Sequence, residues 1–195
     1  MTAVPFSIPV ASAALVLIDM QRIFQDPESQ WFVANYDQAA AQVARLRTKF
    51  DDAIWTRFVR DAREQGAWQD YYDRWDQCRQ GPDSPQWDLT LKPQPDDGIL
   101  SLPTFSKWGH QLAELTSSSE HLVIAGVATD CCVLATVLGA VDAGKRVTVV
   151  TDACAGATHA AHQQALGLME LLNPMVQTVS VEQVEALLQA EKATM

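Results

Sequence analysis

The chain has 195 residues, of which 48% are hydrophobic and 19% charged, and its formal net charge is −10 at pH 7. That length and balance fit a single domain, 1–195, large enough to bury its own core. The acidity, with no Lys/Arg cluster, argues against nucleic acid or an anionic membrane surface as partner. No apolar run approaches the ~20 residues of a membrane span, and the N-terminus lacks the basic flank and long apolar core of a signal peptide. Cys78, Cys131, Cys132 and Cys154 follow neither a CxxC nor a zinc spacing, so reduced thiols in a cytoplasmic protein are expected.

Along the chain, apolar runs alternate with helical patterns. Ala13 to Ile18 reads as a buried strand ending at Asp19. Tyr36 to Phe50 has helical spacing through Ala39, Val43, Leu46 and Phe50. Ala53 to Thr56 is a second short strand and Ile99 to Phe105 a third. A short helix over Gln111 to Ser117 follows, and then a strand at His121 to Ala125. Cys132 to Ala143 predicts a helix closed by Gly144. Arg146 to Thr151 is a further strand, Thr158 to Leu172 a long helix ended by Asn173-Pro174, Val176 to Val179 a final strand, and Val181 to Gln189 a final amphipathic helix. Continuous β-branched runs separated by helices predict an α/β fold, a doubly wound parallel sheet covered on both faces, with its ligand site beyond the carboxyl ends of the strands. Neither GxGxxG nor a P-loop is present.

Residues 57–98 break this rhythm. They hold Trp68, Tyr71, Tyr72, Trp75 and Trp87 among several prolines, a composition that suits an ordered insertion acting as a lid or a subunit contact. The helical spacing of the 68–75 aromatics favours packing over substrate contact.

Three residues fall where a site of this fold needs them. Cys132 follows Gly126-Val127-Ala128-Thr129-Asp130-Cys131 at a strand-to-helix turn, where unpaired N–H groups and the helix dipole lower a thiol pKa. Asp19 ends the first strand, and Lys107 follows the third apolar run. An acid that takes the thiol proton, a cation that favours both anions, and a thiol make a nucleophilic set. Alone, each has a plainer role: the aspartate as a cap, the lysine as a solvated charge, the cysteine as packing.

Asp19-Met20-Gln21, Ser106-Lys107 and Gly126 to Val133 together resemble the isochorismatase-like cysteine hydrolase family over roughly residues 13–185. The resemblance implies a three-layer α/β/α fold with six parallel strands in the order 3-2-1-4-5-6. It further implies a catalytic triad of Asp19, Lys107 and Cys132, and a cis Val127–Ala128 peptide that sets the Ala128 N–H beside that of Cys132 as an oxyanion hole. A homo-oligomer, dimer or tetramer, is implied as well. Asp130 is expected to support the turn rather than react.

The Asp-x-His metal motif of the nicotinamidases in this family is replaced by Thr56-Arg57-Phe58-Val59-Arg60, so neither metal nor cofactor is expected. His159 and His162 form the one close histidine pair, read as a polar helix face rather than zinc ligands, with His162 structural. Arg57, after a strand, is a candidate clamp for a substrate carboxylate, balanced against a salt bridge to a nearby acid. Phe24, Trp31 and Trp108 flank the motifs and are candidate pocket walls. The function expected is metal-independent hydrolysis of a small amide, ureido or carbamoyl C–N bond through a thioester. A vinyl-ether hydrolase of isochorismatase type, which does not need the thiol, and a catalytically idle scaffold are the alternatives.

Overall fold

A computed structural model describes residues 12–194. Six strands form one parallel sheet: β1 (Ala14–Ile18), β2 (Ile54–Phe58), β3 (Gly98–Leu102), β4 (His121–Val127), β5 (Arg146–Ala155) and β6 (Val176–Val179). Their order across the sheet is β3-β2-β1-β4-β5-β6, as the family resemblance implies. The helices are α1 (Arg22–Gln25), α2 (Tyr36–Arg47), α3 (Ala67–Arg74), α4 (His110–Leu115), α5 (Leu134–Asp142), α6 (His159–Glu170) and α7 (Val181–Thr194).

The burial explains the sequence pattern. All seven residues of β4 are buried, as are Leu15 to Ile18 of β1, because both faces of a parallel sheet carry helices. β2 and β3 on one flank and β6 on the other mix buried and more exposed positions. The chain reverses its winding between β1 and β4, which pair from Ala14 with Leu122 to Ile18 with Gly126. That reversal opens a crevice at the carboxyl ends of these two strands. Gly126 is required there: its φ is +123°, and a Cβ would stand 2.1 Å from the carbonyl oxygen of Ile18.

Several expected boundaries shift, two of them beside the site. The helix expected from Cys132 begins at Leu134, because residues Thr129–Val133 form a wider π-helical turn first. β5 continues past Thr151 to Ala155, beside the end of β4, where Gly126 pairs with Cys154 and Val127 with Ala155. The 59–97 segment is ordered, with α3 and two 3-10 turns, Asp76–Cys78 and Pro85–Trp87. Among the described residues no helix is long and apolar enough to cross a membrane.

Candidate active site

Asp19 and the Thr129–Val133 turn leave the carboxyl ends of β1 and β4, the two strands at the reversal. Asp19 is fully buried and takes a left-handed backbone, φ 49°, uncommon for a residue with a side chain. Its environment holds it there. Thr56, on β2, accepts from the Asp19 N–H at 3.2 Å and donates its hydroxyl to Asp19 Oδ1 at 2.6 Å. Asp19 Oδ2 lies 3.0 Å from the Lys107 ammonium. This contact is an ion pair without the alignment of a hydrogen bond, so Oδ2 keeps its hydrogen-bonding capacity open.

Lys107 is as deeply buried as Asp19. Its ammonium donates to the Thr104 carbonyl at 2.7 Å and stands 4.7 Å from the centroid of the Phe58 ring. A buried cation needs such partners, because its desolvation alone costs several kcal/mol. The Lys107 backbone N–H donates to Thr136 Oγ1 at 2.9 Å, and that hydroxyl donates to the Cys132 carbonyl at 2.7 Å. Thr136 thus ties the lysine segment to the cysteine turn.

The thiol of Cys132 is held well above the ordinary range. The hydrogen bond with Cys131 raises it most, then burial, then the charge of Asp19; Lys107 pulls the other way and loses. This corrects the expectation of a lowered pKa from a helix start. Cys132 sits in the wide turn ahead of α5, and its sealed surroundings outweigh the nearby cation. Its resting form is the neutral thiol. Cys154 is pushed up to about 12 and Cys78 is raised, both chiefly by burial.

Cys132 faces a cavity of about 510 Å³. Ala128, Asp130 and Cys131 adjoin it on one side, and Phe24, Trp31, Phe58, Tyr71, Trp75 and Phe105 supply aromatic walls. Gln21 fixes one wall: its amide donates to the carbonyls of Phe58 and Trp87, at 2.9 and 2.7 Å, and accepts from the Phe58 N–H at 2.7 Å. The insertion divides its aromatics between two tasks. Tyr71 and Trp75 reach the cavity, whereas Tyr72 and Trp87 are buried in the ring cluster behind it.

Asp19, Lys107 and Cys132 are therefore brought together, with Phe24 and Trp31 on the cavity wall. Arg57 and Trp108 are not on it. Strand alternation puts Thr56 and Phe58 toward the site and Arg57 on the opposite face of β2, where its Nε donates to the Trp87 carbonyl at 3.2 Å. Trp108 packs against Gly139 of α5, at which a Cβ would fall 2.9 Å from its own, and lines a separate groove. Asp130 serves the neighbouring loop: its Oδ1 accepts from the Ala157 N–H at 2.8 Å. His162 Nδ1 pairs with Thr129 Oγ1 at 2.8 Å, and its pKa is lowered chiefly by burial. With His159 it lines a second cavity, of about 540 Å³, that contains none of Asp19, Lys107 and Cys132. Thr56 and Thr136 are the positioning residues that local motifs do not single out, whereas Gln21 belongs to the Asp19-Met20-Gln21 motif. The Val127–Ala128 peptide is cis.

The isochorismatase domain family matches residues 13–183, and the chain belongs to this family of isochorismatase-like hydrolases. No curated protein sequence matches it significantly. Among solved structures, a cysteine hydrolase from Pseudomonas syringae pv. phaseolicola is 21% identical with a TM-score of 0.83, covering 97% of this chain and 99% of its own. An isochorismatase-like hydrolase from Alkaliphilus metalliredigens is 16% identical, TM-score 0.75, over 94% and 99% of the two chains. The pyrazinamidase of Pyrococcus horikoshii, solved in complex with zinc, is 24% identical, TM-score 0.69, over 87% and 99%. These likenesses are ones of fold.

Proposed function

We propose that this hydrolase cleaves a small amide, ureido or carbamoyl C–N bond, with Cys132 as nucleophile and Asp19 as the group that carries the proton. The observation that carries the reading is the buried Asp19–Lys107 pair, 3.0 Å apart, whose Oδ2 is left able to accept a proton beside a thiol at the edge of an aromatic cavity. A neutral resting thiol fits this division of labour, since the proton then moves as the substrate is attacked.

In the first half-reaction Asp19 Oδ2 takes the Cys132 proton while Sγ bonds to the carbonyl carbon, and Lys107 offsets the charge on the pair. The oxyanion accepts from the N–H groups of Ala128 and Cys132, where one such donor is worth ~2.7–4 kcal/mol in the transition state. Collapse breaks the C–N bond as Asp19 returns the proton to the leaving nitrogen, so ammonia or an amine departs and a thioester remains. Water then attacks the thioester carbon and gives its proton to Asp19. Expulsion of Sγ, which takes that proton back, restores the free thiol and releases the acid.

The zinc named with the Pyrococcus pyrazinamidase finds no matching donors here. Among the described residues no group of three or more His, Cys, Asp or Glu side chains could hold a metal ion. The end of β2 and the stretch after it instead carry Arg57 and Arg60, with Arg60 paired to Glu64. No step is routed through a metal.

The test is ammonia release from a panel of small amides by the intact protein, by Cys132→Ala and by Asp19→Asn. Loss of at least about 100-fold in each variant is expected, the usual contribution of such groups. Unchanged turnover by Cys132→Ala would sink the nucleophile assignment, whereas no ammonia from any amide would favour a vinyl-ether hydrolase, which needs the acid and not the thiol.

A further inference from the structure

We propose that Arg74 is an anion subsite of the Cys132 cavity, and that the substrate is a small, flat amide bearing a carboxylate at the end remote from the scissile bond. The inference deepens the hydrolase reading above and rests on it for the identity of the reacting end.

The 59–97 segment is rich in both charges, and its other ionic arginines are paired. Arg60 takes Glu64, Arg63 takes Asp61, and Arg79 takes Glu64 and Asp73. Arg74, the last residue of α3, forms no ion pair among the described residues, although acids surround it in sequence. Its guanidinium instead lies 5.0 Å from the centroid of the Trp75 ring, and both side chains are on the wall of the cavity that Cys132 faces. An aromatic platform of this kind holds the guanidinium in place and leaves its N–H fork for an incoming carboxylate.

Among the described residues Arg74 and Asp130 are the only charged side chains on that wall, and Asp130 Oδ1 is engaged by the Ala157 N–H. The two charges lie on different elements, one on α3 and one in the turn beside Cys132. Beside the thiol Lys107 is already paired with Asp19 and Asp130 is negative, so an anionic end is drawn to Arg74, which leaves the neutral amide at Sγ. A chain of net charge −10 repels anions in general, so selecting one requires a local cation of this sort.

The experiment measures binding of 4-carbamoylbenzoate and of benzamide to the full chain carrying Cys132→Ala, by quenching of tryptophan fluorescence. The acid is expected to bind about tenfold more tightly, the ~1.4 kcal/mol of one charge-assisted contact. Adding Arg74→Met should abolish that ratio, Arg74→Glu should invert it, and Arg74→Lys should retain part of it. Equal binding of the two probes, no binding of either, or a ratio unchanged by Arg74→Met overturns the subsite. Ammonia release is followed in parallel with Cys132 intact. Arg74-dependent binding without ammonia leaves the subsite standing and removes the amidase reading. Release from both amides, indifferent to Arg74→Met, does the reverse.

Discussion

Replacing either member of the Asp19–Lys107 pair should destabilise the fold strongly, and replacing both should cost much less than the sum. Both side chains are fully buried, so a survivor keeps its desolvation penalty without its counter-ion. The two survivors differ in what remains to them. After Asp19→Asn, Lys107 still donates to the Thr104 carbonyl and still faces the Phe58 ring, and the Asn oxygen can still accept from Thr56. After Lys107→Met, the Asp19 carboxylate retains the Thr56 hydroxyl as its one side-chain donor. Breaking a buried pair costs ~3–5 kcal/mol, so we expect Lys107→Met at the upper end and Asp19→Asn at or below the lower end. The double variant carries no buried charge at this position and should recover at least ~2 kcal/mol relative to the sum of the single changes. Urea unfolding followed by tryptophan fluorescence reads all four proteins, since Trp55 and Trp87 are buried. In heat the larger single effect corresponds to a fall of ~10–20 °C, at ~2–4 °C per kcal/mol for a chain of this size. Additive changes within ~0.5 kcal/mol would refute the pairing argument.

Two other outcomes follow from the same surroundings. Thr136→Val keeps the side-chain shape but leaves the buried Lys107 N–H without its acceptor, so a loss of ~1–3 kcal/mol in urea is expected, with Thr136→Ser close to the parent. A valine variant as stable as the parent contradicts the role given to this bridge. At alkaline pH the buried thiols act against the fold. Cys132, Cys154 and Cys78 are raised in the folded state, so their contribution is complete below the ordinary thiol pKa and is lost as pH climbs toward their folded values. For Cys154, whose folded pKa is about 12, this is a fall of ~1.4 kcal/mol per pH unit above pH 9, and Cys154→Ala should remove that share of the slope. Urea midpoints that stay level from pH 8 to 10.5 would contradict it.

What the sequence made legible was what depends on local chain. The strand ends at Asp19, and the glycine turn before Cys132, are short motifs whose placement at the β1–β4 reversal follows from alternation of strands and helices. Arg57 was readable too, had the period of two been carried from buried Phe58 back through β2, because it then falls on the face away from the site. The helix start at Cys132 misled for a physical reason: a dipole argument that holds at an exposed terminus is outweighed where the thiol is hydrogen-bonded to Cys131 and sealed beside a carboxylate. Arg74 and Trp75 depend on the path of a 59–97 segment with little periodicity, and no spacing in the sequence places them at the cavity. Thr136 carries a faint signal, four residues after Cys132 and inside a helix, where a threonine hydroxyl reaches back to the carbonyl one turn earlier.

The central claim is that Cys132 becomes acylated. It is tested most directly by mass spectrometry of the intact protein, quenched in acid during turnover of an amide that releases ammonia, with peptide mapping of the adduct. The account predicts an added mass equal to the acyl group, located on Cys132 and absent from Cys132→Ala. Steady ammonia release with no adduct on Cys132, or with the acyl group on Cys131, would contradict it.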